Sequence, residues 1–228
     1  ESAVIEYWPD VEQGSEEWHA LRCGILTASE MKLILTPTLK AANNDKDRQH
    51  LYELLGQRIT QYVEPRHISD DMLRGVEDEI NARIEYSEHY APVTECGFIT
   101  NDFLGFTIGY SPDGLVGDYG LIECKSRRQK YQIETILSGK VPDEHILQCQ
   151  TGLMVSGRQW LDFVSRCAGL PLFVCRVYPD QKIIDAIACA ASAFEERIQI
   201  AMEKYNDWRD NQAILIDTKR EVEQEITI

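Results

Sequence analysis

The chain has 228 residues and a formal net charge of −15, with 43% hydrophobic and 27% charged residues. This suits one large globular domain with a substantial core. The charge excludes a surface that binds nucleic acid indiscriminately, because phosphate backbones need cations. No apolar run approaches the length of a membrane span, and residues 1–10 do not read as a signal peptide. Seven cysteines are scattered without a Cys-x-x-Cys pair. That spacing excludes a disulfide framework or a zinc ribbon and points to reduced thiols in a cytoplasmic protein.

In chain order, Ser15 precedes Trp18, Leu21 and Arg22 and reads as the cap of a first helix that Gly24 closes. The segment TASEMKLILT, residues 27–36, starts a second helix with Thr27 or Ser29 as its cap. Residues 36–50 are polar and aperiodic and read as a loop, and residues 50–62 are helical. Residues 71–90 read as a helix whose buried stripe is Met72, Val76, Ile80 and Ile84. From 92 to 124 short strand-like runs are separated by Asn-Asp and Gly-Asp turns. Helices follow at 127–138 and 143–156, then a strand pair in WLDFVSRCA and LPLFVCRVYP, then a long helix over 183–212. The tail, 213–228, carries no assignment. This order implies an α/β (α+β) architecture, a central mixed β-sheet flanked by helices. No Gly-rich phosphate fingerprint is present.

The stretch SPDGLVGDYGLIECKS, residues 111–126, carries the chemistry. A hairpin brings strand positions ten apart across from each other, so Asp113 and Glu123 can face one point. The apolar Leu121 and Ile122 before Glu123 imply a buried strand, where unpaired carboxylates are costly. A divalent cation explains them: magnesium takes oxygen ligands, commonly one or two carboxylates plus waters and substrate phosphate. The carbonyl of Cys124 can be a further oxygen ligand. Strand alternation puts the Lys125 side chain on the same face as Glu123, where an ammonium can orient a water and offset phosphate charge. The only basic stretch, 124–184, begins here. Arg127, Arg128 and Lys130 are its candidate contacts to a DNA backbone.

Pro112-Asp113 and Glu123-Cys124-Lys125 resemble the nuclease signature PD-(D/E)xK. The segments at 12–30, 75–83, 93–96 and 146–155 resemble, in the same order, segments of the bacteriophage lambda exonuclease family of viral recombinases, the alkaline exonucleases. The likeness spans roughly 12–165. It implies a single nuclease domain over 1–228, with a restriction-endonuclease-like core over about 12–185 and a C-terminal helix and tail over 185–228. It also implies a Mg2+-dependent exonuclease, with two ions and with Mn2+ able to substitute. Such an enzyme digests one strand of linear double-stranded DNA from the 5′ end and leaves 3′ overhangs for phage-type recombination. The family further implies a homotrimeric ring around DNA ends, a single-strand annealing protein as partner, no membrane association and a place in the cytoplasm of a bacterial host.

Residue by residue, the resemblance makes Asp113, Glu123 and the Cys124 carbonyl the metal ligands and Lys125 the catalytic lysine. Glu79 matches an acid that acts through metal-bound water; its ordinary alternative is a helix-surface charge paired with Arg83. Glu95 matches a further active-site acid. Arg22, Ser29, Ser111 and Gln150 match residues that hold a terminal 5′-phosphate, with Gln148 a rival for Gln150. Met72 matches an apolar wedge between terminal base pairs, with a core position as its alternative, and Trp18 reads as core. Two other functions fit the same signature: a PD-(D/E)xK endonuclease, and a catalytically inactive DNA-binding or clamp protein.

Overall fold

The computed structural model describes residues 4–65, 70–212 and 214–220, without the side chains of 70–74 and 212. The helices form where the sequence caps them. In α1 (Glu16–Arg22) the Ser15 hydroxyl accepts from Trp18 N, and in α7 (Gln181–Asp207) Asp180 accepts from the Lys182 and Ile183 amides. Between them lie a 3₁₀ turn (Ala28–Glu30) running into α2 (Met31–Ile34), α3 (Asp45–Thr60), α4 (Asp70–His89), α5 (Gln129–Ser138) and α6 (Asp143–Ser156). Thr27 takes the capping position of the 3₁₀ turn, but its hydroxyl donates to Glu30 Oε2 at 2.9 Å.

The eight strands form two four-stranded mixed sheets instead of one continuous sheet. In the first, β1 (Ile5–Trp8) and β4 (Ile108–Tyr110) flank β3 (Phe98–Asn101) antiparallel, and β2 (Leu26–Thr27) adds parallel to β4. The second runs in the order β5 (Gly114–Val116), β6 (Gly120–Ser126), β7 (Trp160–Arg166), β8 (Phe173–Val177). Here β6 and β7 are parallel, and the outer pairs are antiparallel. Strands β1 and β2 were not expected from the sequence: one is largely exposed and the other has two residues.

Alternate residues of β6 enter different cores. Leu121 joins the main core with Tyr110, Leu147, Cys149 and Phe163, whereas Ile122 and Cys124 pack under α4 with Ala82, Tyr86 and Val164. Helix α7 belongs to the main core through Ile187, Ala191, Phe194 and Ile198.

Two expectations are corrected. The 36–50 loop ends at Asn44, which caps α3. The polar first turn, Asp45 to Arg48, is helical because buried Asp47 takes two hydrogen bonds from Arg197 of α7, at 3.0 and 2.7 Å. Apolar periodicity starts only at Leu51, so the pairing was invisible to a hydrophobic pattern.

Helix α4 has the opposite face inward from the one expected. Val76, Ile80 and Ile84 are 56%, 44% and 50% exposed, whereas Ala82 and Tyr86 are buried. The true row is two residues out of phase, about 200° around the helix. Polar anchors choose it: Arg166 of β7 bonds both Asp78 and Glu85, and the Tyr86 hydroxyl donates to buried Asp162 at 2.7 Å. The Met72 side chain lies outside the described residues.

Among the described residues no helix is long and apolar enough to cross a membrane. All seven cysteines are free thiols.

Helix α6 lies close over β4 because Gly152 has no side chain. A Cβ there would sit 2.7 Å from the ring of fully buried Tyr110. Gly152→Ala is expected to displace Tyr110 and to cost about 1–3 kcal/mol, the usual penalty for overpacking. The check is a urea midpoint, which should fall; an unchanged midpoint would show that the ring has room to move.

Candidate active site

The β5–β6 hairpin places the two carboxylates side by side. Its register pairs Gly114 with Ile122, so Asp113 and Glu123 are the next pair outward. Asp113 Oδ2 accepts the Cys124 amide at 2.5 Å, which ties the two strands together at that point. The Pro112 carbonyl is held by Gln13 Nε2 at 2.8 Å. Arg158 donates to the carbonyls of Gly117 and Gly120, both at 2.7 Å, and braces the turn between the strands.

Glu123 is 1% exposed and is held by three donors from three elements. Tyr110 of β4 gives its hydroxyl to Oε2 at 2.8 Å. Gln148 of α6 gives its amide to Oε1 at 2.5 Å, and the Lys125 ammonium lies 2.6 Å from the same oxygen. A buried carboxylate is tolerated only when paired and hydrogen-bonded in this way.

The surrounding charges are out of balance. Burial, then the Glu123 charge, hold the Asp113 carboxyl well above the usual carboxylate range, against the pull of Lys125. Burial also raises Glu79 on α4; Lys125 and Arg83 oppose this, and Glu123 and Asp78 add to it. Burial pulls the Lys125 ammonium toward losing its proton, but Glu123, Asp113 and Glu79 outweigh it and hold the proton on.

Asp113 and Glu79 open into a cleft of about 540 Å³ that is also lined by Val76, Ile80, Arg83 and Glu95. Glu95 sits on its exposed wall, 3.0 Å from Arg83 Nη2. Beside the carboxylates lies a polar corner. Ser111 Oγ accepts from Trp18 Nε1 and Arg22 Nη1, both at 3.0 Å. Arg22 also reaches Thr27, and Thr27 lies 3.3 Å from Ser29 Oγ.

This arrangement of fold and side chains can be set against known proteins. Residues 17–159 match the family model described as the YqaJ-like viral recombinase domain. The chain belongs to that family. Among solved structures it is similar to the alkaline exonuclease LHK-Exo from Laribacter hongkongensis, with 36% identity and a TM-score of 0.77. The match covers 87% of this chain and 100% of that one. A second structure, LHK-Exo in complex with dAMP, matches at 38% identity over the same shares, also with a TM-score of 0.77. A phage-related exonuclease from Haemophilus somnus 129PT shares the fold at 14% identity, with a TM-score of 0.52 over 79% of this chain and 96% of that one. No curated protein matches.

In this YqaJ-like domain the residues expected at the terminal phosphate do not all meet. Arg22, Ser29 and Ser111 gather, but Gln150 does not join them. It is buried, its Nε2 donates to the Tyr178 carbonyl at 2.8 Å, and its Oε1 accepts the Asp180 amide at 2.9 Å. Gln150 therefore fixes the start of α7, and Gln148 is the glutamine that faces the carboxylates. Arg127, a candidate DNA contact, already has partners in the protein. Its guanidinium is mostly buried and bonds Glu144 at 2.6 Å and His145 Nε2 at 3.2 Å. Arg127 also lines, with exposed Arg128, Gln129 and Lys130, a separate groove of about 640 Å³.

The sequence reading missed Tyr110, and it gave Trp18 to the core. It also missed His145, which stacks on Phe163, the β7 partner of Glu123. Burial, then Lys125, push His145 down to about 4, so above that pH it is a neutral acceptor for Arg127. A glutamine and a histidine three apart on α6 share one helix face, and that spacing was the available signal.

Among the described residues no three or more His, Cys, Asp or Glu side chains form a ready-made metal cage. The donor set still fits a hard cation. Asp113 and Glu123 lie side by side with Lys125 paired to Glu123, and magnesium needs only one or two carboxylates. An acid whose folded pKa is raised binds its proton more tightly when folded. The chelated protein should therefore lose stability as pH rises from about 4 toward the folded value. Asp113→Asn is expected to flatten this decline and raise the thermal midpoint in chelator at pH 8 by about 2–4 °C. Magnesium is expected to raise the midpoint of the unmutated chain and to leave that of the variant unchanged. A lower midpoint for the variant in chelator would show that the carboxylates are not in conflict.

Proposed function

We propose that this chain is a Mg2+-dependent 5′-to-3′ exonuclease that degrades one strand of linear double-stranded DNA and leaves 3′ overhangs. The observation that carries this reading is the spacing of two sites on one segment. Ser111, in the polar corner, and Asp113, in the carboxylate cluster, are two residues apart, at most about 7 Å along an extended chain. A strand whose 5′-phosphate is seated on Arg22 and Ser111 would present a phosphodiester close to that end to Asp113 and Glu123. Polarity and end-dependence then follow from the same geometry. The dAMP bound by LHK-Exo is a nucleoside monophosphate, the product class this reading requires.

Asp113, Glu123 and the Cys124 carbonyl would hold the cation, with Glu79 acting through its water shell. Bound there, the cation supplies Lewis-acid polarisation of the scissile phosphate. Tyr110 and Gln148 fix the Glu123 carboxylate so that it does not rotate away. Lys125 keeps its proton and offers it as a hydrogen bond to the attacking water or to a phosphoryl oxygen. The net charge of −15 leaves few places for a duplex, and exposed Arg128 and Lys130 are the contacts this reading uses. A homotrimeric ring, an annealing partner, a second metal ion and manganese substitution accompany the reading through the family likeness.

Linear duplex should be consumed with magnesium while covalently closed duplex survives; cutting of both would favour an endonuclease, and cutting of neither a DNA-binding clamp. Lys125→Ala should retain duplex binding but lose about 10²–10⁴-fold in turnover, measured under saturating DNA. Turnover within a few-fold of the unmutated chain would reduce Lys125 to a structural partner of Glu123.

A further inference from the structure

The polar corner contains a hydroxyl whose direction is dictated by its neighbours. Ser111 Oγ sits 3.0 Å from Trp18 Nε1 and 3.0 Å from Arg22 Nη1. Indole and guanidinium nitrogens are donors only. Ser111 therefore accepts twice, and its own proton must point in a third direction. Among the described residues nothing accepts it.

Ser29 is in the opposite condition. The Thr27 proton goes to Glu30 Oε2, 2.9 Å away, because a carboxylate can only accept. In the 3.3 Å contact between Thr27 and Ser29 the shared proton must then come from Ser29. Ser111 is a donor ready for an incoming anion, and Ser29 must first turn.

Trp18 does more than donate to Ser111. The Arg22 guanidinium lies over its ring, 4.2 Å from the centroid, a cation–π contact that holds the guanidinium in place. The Trp18 backbone amide is itself pinned by the Ser15 cap at 3.2 Å. One side chain thus orients both groups of the corner, and it does so from a capped helix end.

We propose that Trp18 is a positioning residue for the substrate's terminal 5′-phosphate, acting through Ser111 and Arg22. The proposal rests on reading this corner as the phosphate site. Trp18→Phe separates the two actions, since it keeps a ring under Arg22 and removes the N–H. Trp18 is only half-buried, so a smaller ring should not unfold the chain.

The test is the ratio of kcat/KM on matched duplexes with 5′-phosphate and 5′-hydroxyl ends. In Trp18→Phe the ratio should fall about tenfold, through a higher KM for the phosphorylated duplex. Ser111→Ala should lower it at least as far, and more than Ser29→Ala. The double variant Trp18→Phe/Ser111→Ala should be no worse than Ser111→Ala alone, because the indole acts through that hydroxyl. A full ratio in Trp18→Phe, or additive losses in the double variant, would overturn the assignment. If Trp18→Phe does not fold, the order of the two serine variants decides, and a larger loss in Ser29→Ala overturns it. Equal rates on both ends by the unmutated chain would instead refute the phosphate site itself, and the role of Trp18 with it.

Discussion

Burying one carboxylate, Glu123, is the constraint around which the molecule is arranged. Leaving it unpaired inside a core would cost several kcal/mol, and the fold avoids that by bringing three donors from separate elements. Tyr110 comes from the first sheet, Lys125 from the same strand and Gln148 from α6. The two sheets and the helix between them cannot slide relative to one another without breaking one of these bonds. Gly152 serves the same end, since a side chain there would push α6 off the Tyr110 ring. Stability and chemistry therefore draw on the same contacts.

The cluster is nevertheless incomplete as a set of charges. Lys125 is paired with Glu123, and burial together with the Glu123 charge holds the Asp113 carboxyl above the usual range. On the proposed reading, a bound cation would relieve that conflict. A few ångströms along the chain the sign reverses, and Arg22 with Ser111 offers donors. On the proposed reading, a polyanionic strand would meet a positive corner for its end and, through a cation, an acidic centre for its cleavage.

Much of this was legible in the sequence because it is local or periodic. The hairpin spacing brought Asp113 opposite Glu123, strand alternation put Lys125 on the Glu123 face, and Ser15 announced the first helix. What escaped depends on partners far away in sequence. The start of α3 hides behind an ion pair between Asp47 and Arg197. The inward face of α4 is chosen by Arg166 and Asp162 on β7, not by its own apolar row. Gln148 and Gln150 are two positions apart on one helix, and only the β8–α7 connection, which takes up the Gln150 amide, separates their roles. Trp18 passed for core because its indole N–H finds its acceptor in Ser111, far along the chain.

The bond from the Cys124 amide to Asp113 Oδ2 uses nothing of the Cys124 side chain. The thiol instead packs beneath α4 beside Ala82 and Tyr86. Any apolar side chain of similar size could fill that space and leave the contact untouched; proline, which has no N–H, could not. A mutational scan that truncates side chains one at a time would thus score position 124 by how well it packs and pass over its contact with the acid. Comparing relatives would mislead in the same way, since the letter at this position can drift while the geometry it supplies stays fixed.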